Sequence, residues 1–107
     1  MIVAQTILEQ LGGRRFAVMT GARNFAGDEN SLSFRLPGAG GYCREGINYV
    51  RISLNGLDLY DVTYSRIRGH KVTTINESAG LYADMLQADI ERVTGLCTSL
   101  GTMAVNA

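Results

Sequence analysis

The sequence predicts an α+β fold, a mainly antiparallel sheet of about five strands with an N-terminal and a C-terminal helix packed on one face. Three observations predict it. The stretch INYVRISLNGLDLYDVTYSRIR (47–68) holds two runs of period two around Asn55-Gly56, the pattern of a hairpin with one buried face. Apolar residues recur at helical spacing near both ends of the chain. Between these, shorter alternating runs are separated by turn residues, which link strands as hairpins.

In chain order, Val3, Ile7, Leu8 and Leu11 mark a first helix, closed by Gly12-Gly13 where a C-terminal glycine belongs. Phe16, Val18 and Thr20 then alternate with Ala17 and Met19, which predicts a first strand over 15–20. GARNFAGDEN (21–30) reads as a long connection. Leu32, Phe34 and Leu36 alternate with Ser31, Ser33 and Arg35 as a second strand, and the only proline, Pro37, stands at its end. GAGGYCREG (38–46) has the glycine of a phosphate-cradling loop but lacks the Lys-Ser/Thr and the following helix, so an insertion-tolerant loop is expected.

The central hairpin fixes its own loop length. A two-residue loop would lay Val50 opposite Asp61, inverting every side chain of one strand relative to the other. An odd-length loop, three residues with Gly56 left-handed, restores the match. Val50, Ile52, Tyr60, Val62 and Tyr64 then share the core face. Tyr49, Arg51, Asp61 and Thr63 share the outer one, where Arg51 and Asp61 can pair. After Gly69, residues 70–75 predict a fifth strand with Val72 and Thr74 facing the core. Asn76 or Ser78 would cap a helix over 79–94, with Tyr82, Met85, Leu86, Ile90 and Val93 inward and Asp84, Asp89 and Glu91 in solvent. Gly95 ends it, and the tail (101–107) frays.

One hundred and seven residues suit a single domain, 1–107. No apolar run approaches the ~20 residues of a membrane span, and the N-terminus reads as a mature cytoplasmic start without a leader. Net charge is zero, yet residues 1–71 hold nine basic against six acidic residues, and 72–107 one against four. Cys43 and Cys97 stand far apart, outside any CxxC or Cys/His cluster, which speaks against a zinc site or a disulfide framework. Cys43 lacks an identifiable base.

The segments 47–69 and 80–100, together with TILEQLGG, AVMTGARNF and LSFRLPG, resemble a family of small phage, prophage and mobile-element proteins of uncharacterised function. The resemblance lies in framework residues and brings no functional residue with it; the GAGGYC loop looks like a local expansion of that pattern. It implies action inside a bacterial host, on a host or phage protein complex such as a defence system.

The chemistry-bearing residues are sparse. His70, the only histidine, gives a triad or histidine metal site little to draw on, and Asp58 and Asp61 find no second cluster. No enzyme, cofactor or metal is therefore expected. The outer sheet face is the candidate surface: Arg35, Tyr49 and Arg51, with Ser31, Ser33, Thr63 and Ser65, extended by Arg68, His70 and Lys71. Arginine beside an aromatic on an open sheet suits single-stranded nucleic acid. It also suits a protein partner or a homodimer.

Overall fold

The computed structural model describes residues 2–36 and 46–95. The elements are α1 (Ile2–Leu11), α2 (Gly13–Thr20), β1 (Arg23–Gly27), β2 (Ser31–Arg35), β3 (Tyr49–Leu54), β4 (Tyr60–Arg68), β5 (Lys71–Leu81), a 3₁₀ turn (Ala83–Met85) and α3 (Leu86–Thr94). The strands form one open sheet in sequence order, β1 to β5, with every neighbouring pair antiparallel. The predicted α+β class and antiparallel sheet hold, with three α-helices among the described residues instead of two.

The helices lie on one face. Ala4, Ile7 and Leu11 of α1, Phe16 of α2 and Leu86, Ile90 and Val93 of α3 are buried against Leu32, Phe34, Val50, Ile52, Val62 and Tyr64 of the sheet. Phe34 anchors the centre, with Phe16 edge-on at 5.3 Å and Phe25 tilted at 5.4 Å. Each such side chain contributes about 1.5–3 kcal/mol of burial, which is what holds short helices that would be marginal in isolation.

The central hairpin follows the sequence argument closely. Val50 faces Tyr64, Ile52 faces Val62 and Leu54 faces Tyr60, so one core face is shared. The odd-length connection is present: Asn55 N–H donates to Leu59 O, and Asp58 N–H donates to Asn55 O, enclosing Gly56, Leu57 and Asp58. The left-handed residue is Asp58 (φ 61°) rather than Gly56. The Asn55 side chain organises the turn by accepting from the N–H groups of Leu57 (2.8 Å) and Leu59 (3.2 Å), an Asx-type motif.

Four expectations are corrected. The strand expected over 15–20 is the helix α2: Phe16 and Thr20 are buried four residues apart, Val18 between them is 75% exposed, and Thr20 Oγ1 donates back to Phe16 O at 2.7 Å, a helical contact. Five strands are kept because β1 lies within the segment expected to be a connection. Next, β5 continues to Leu81, and Val72 and Thr74 are exposed. Tyr64 pairs with Asn76 while Ser65 pairs with Thr74, which leaves Ile75 as an extra, bulged residue that packs against the core.

The C-terminal helix starts at Leu86, not near 79. Gly80 is left-handed (φ 70°) at a second irregularity, opposite Asp61, and Tyr82 is extended and 65% exposed. Asn76 and Ser78 lie within β5 and cap nothing. Finally, Asp89 is buried instead of solvated, because α3 turns that side toward the sheet. Gly95 does end the helix, in the left-handed conformation (φ 82°). Pro37, the loop residues 38–45, Cys43, Cys97 and the tail 101–107 lie outside the described residues.

Candidate binding site

The described helices leave the second face of the sheet uncovered, and the strand register places the candidate residues on it. One row runs Arg23–Arg35–Tyr49–Ser65–Thr74 across all five strands. The next runs Ala26–Ser33–Arg51–Thr63–Glu77. Arg35 and Tyr49 are thus direct cross-strand neighbours, with Arg51 one row away. Tyr49 and Arg35 are half-buried and Arg51 is exposed. Ser31 and Ser65, expected on this surface, are buried. Ser31 Oγ donates to Asp28 at 2.8 Å.

Arg51 does not pair with Asp61. Its guanidinium donates to Asp28 at 3.3 Å. The register explains the exchange: Arg51 sits opposite Thr63, while Asp61 sits opposite Ser53. Asp61 instead accepts from Asn55 Nδ2 (3.2 Å) and from the Gly80 N–H (3.0 Å), tying the turn to the irregularity in β5. The Ser31 hydroxyl, the Asn30 N–H and Arg51 hold the Asp28 carboxyl below its usual pKa.

Arg23 was not among the sequence candidates. It stands opposite Arg35, and neither side chain has a hydrogen-bond or ion-pair partner among the described residues. Like charges placed directly opposite are destabilising. The only sequence signal was its place in a turn-rich run, because the bulge between Arg23 and Ala26 and the left-handed Asn24 (φ 56°) break the alternation that would have revealed a strand.

Arg68, His70 and Lys71 are brought together at the β4–β5 turn, where Arg68 pairs with Lys71 and Gly69 takes a positive φ of 59°. All three are exposed. Arg68 lies three residues beyond Ser65, about 10 Å along the strand, and the odd offset gives it the side of Val62 and Tyr64, so this group flanks the row at the end of the sheet instead of joining it.

The other polar centre of the molecule is structural. Asp89 accepts from the Tyr64 hydroxyl (2.5 Å), from Ser78 Oγ (3.0 Å) and from Arg92 Nη2 (2.7 Å). The first two bonds fasten α3 to β4 and β5, the third lies within α3, and burial together with Asp89 pushes the Tyr64 hydroxyl pKa well up. An open depression of about 270 Å³ lies beside it, lined by Leu81, Asp84, Met85, Ala88, Asp89 and Arg92. Gln87 Nε2 donates to Leu11 O and joins α3 to α1. Among the described residues there is no group of three His, Cys, Asp or Glu able to hold a metal ion, and no helix is long and apolar enough to cross a membrane.

Compared with known proteins, the chain matches no protein-family model, no curated protein and no solved structure.

Proposed function

We propose that this chain is a non-enzymatic interaction protein of a phage or other mobile element, which binds and modulates a host complex of the defence type from within the bacterial cytoplasm. The observation that carries the binding role is the sheet face that the described helices leave uncovered, on which Arg35, Tyr49 and Arg51 stand within two adjacent rows. Arginine and tyrosine are the residue types that anchor interfaces. The host context comes from the family resemblance of the framework.

Affinity capture from bacterial lysate tests this, run in parallel with the wild type and with an Arg35→Glu/Tyr49→Ala variant that keeps its circular dichroism. A host complex retained by the wild type and lost by the variant is the expected result. No retained protein, or retention indifferent to the variant, removes the reading.

A second reading, a nucleic-acid-binding accessory protein, is favoured by one specific feature: Arg35 and Tyr49 are cross-strand partners, a cation beside a stacking ring.

A further inference from the structure

The strand register sorts the charges of the sheet in a way that the zero net charge conceals. One end of the sheet is formed by the start of β1, the end of β2, the start of β3 and the β4–β5 turn. The described residues that build it, 21–23, 35–36, 46–50 and 64–74, contain Arg23, Arg35, Arg66, Arg68, His70 and Lys71 and no Asp or Glu. The opposite end carries the β1–β2 turn, the β3–β4 turn and the exit from β5. Residues 27–32, 53–61 and 79–85, which build it, contain Asp28, Glu29, Asp58, Asp61 and Asp84 and no Arg or Lys. Arg51, paired with Asp28, belongs to the border between the two.

We propose that the basic end binds the phosphates of single-stranded nucleic acid, with Arg23 and Arg35 contacting phosphates from the open face, Arg68 and Lys71 contacting them from the turn at the end of the sheet, and Tyr49 stacking a base. The inference rests on the nucleic-acid reading of the open face and names its centre.

Two features support it. First, Arg23 and Arg35 stand directly opposite each other without a carboxylate of the described residues between them, an arrangement whose repulsion an oxyanion shared by two guanidinium forks relieves. Second, the cations extend from β1 to the β4–β5 turn, a width of four strand spacings or about 19 Å. An extended polyanion meets several of them at once, where an isolated carboxylate meets one. Tyr49 lies inside this span, between Arg35 and the small Ser65, and a ring there can stack only on a base that is not already paired in a duplex.

The test is fluorescence anisotropy of a labelled oligothymidylate of about 20 nucleotides, titrated with the full chain across salt. With four phosphate contacts on a single strand, the slope of log K against log salt is about −3, so affinity falls by about 50-fold between 50 and 200 mM salt. The Arg23→Gln/Arg35→Gln variant reduces that slope by about 1.4 while melting no lower than the wild type, since it removes a repulsion. Tyr49→Leu weakens binding by about tenfold and Tyr49→Phe does not. Arg15→Gln, exposed on α2 and away from the open face, changes little.

Absent binding at low salt, a salt-independent affinity, or equal loss in Arg15→Gln overturns the proposal. So does duplex of the same length binding as tightly as single strand. Polyglutamate binding as tightly as the oligonucleotide overturns it in favour of an acidic protein partner. Capture of a host complex that depends on the sheet face, with no oligonucleotide binding, leaves the interaction-protein function standing and this inference fallen.

Discussion

Two hairpins share β4, and they differ in almost everything else. The β3–β4 hairpin keeps one unbroken register through all its pairs, from Tyr49–Ser65 to Leu54–Tyr60. The β4–β5 hairpin opens with a two-residue turn and then shifts register twice. β3 is flanked on both sides and must place Val50 and Ile52 inward, so a slip would expose its whole core face. Among the described residues, β5 has a neighbour on one side only. Its extra residues cost little there, and an irregular edge resists pairing with another chain. Register is therefore strict where both neighbours and a core demand it, and relaxed at the edge.

The strongest way to break this comparison is to shorten a side chain in each strand. Ile52→Ala, in the fully buried row between Leu32 and Val62, should lower stability by about 2–5 kcal/mol in chemical denaturation. Val72→Ala, at a site 61% exposed on β5, should change it by under about 0.5 kcal/mol. Similar losses at both positions would refute the account of β5 as a loosely constrained edge.

The turns give a smaller contrast. Gly69→Ala forces a side chain into a left-handed position (φ 59°) with open space around it, so the loss is that of backbone conformation alone, about 1–2 kcal/mol. Gly56→Ala, at a position with no positive φ and nothing within 4 Å, should stabilise by about 0.4–1 kcal/mol. Reversal of these signs in thermal melts would return the left-handed role to Gly56.

Tyr64→Phe sharpens what β4 does for its less regular neighbour. It removes one of three bonds to the buried Asp89 carboxylate and should cost about 1.5–3 kcal/mol near neutral pH. The pH dependence is more diagnostic. The folded pKa of Tyr64 is raised above its ordinary value of about 10, so its stabilising effect is complete below that value. It declines above about pH 10, where the unfolded chain loses the proton and the folded chain keeps it. The wild type should lose stability there more steeply than Tyr64→Phe; parallel alkaline limbs would show that the hydroxyl is not held as described. In the acid range, the Asp28 contribution is present above about pH 4 and fades as pH falls through its lowered folded value.

What the sequence disclosed follows the same division. The central hairpin, its odd loop and its two faces were legible because period two and a shared core face leave one consistent register. α2 was misread because Phe16, Val18 and Thr20 satisfy period two, while Phe16 and Thr20 alone satisfy the helical period that the structure uses. The second half of β5 was misread as a helix because Ile75 and the Gly80 irregularity interrupt its alternation, and Leu86, Ile90 and Val93 beyond supply a helical one. Of the candidate surface, Arg35 with Tyr49 could be placed from alternation. Arg23 could not, since its strand is short and bulged, and the Asp28–Arg51 pair joins residues that only the sheet brings near. The Asp89 centre was hidden because a carboxylate on an amphipathic helix is ordinarily turned to water.

The sorting of charge by strand end gives the described sheet of this neutral molecule a dipole directed along its strands. A protein of zero net charge ordinarily feels no uniform pull toward a polyelectrolyte, but a dipolar one is turned by the field before contact, basic end foremost. The same polarity lets the basic end of one copy attract the acidic end of the next, a head-to-tail contact that does not close on itself. Such association belongs to dilute buffer and dissolves near physiological ionic strength, where fields decay within about 8 Å. At low salt the chain should therefore adhere to both cation and anion exchangers near neutral pH, in two orientations of one molecule.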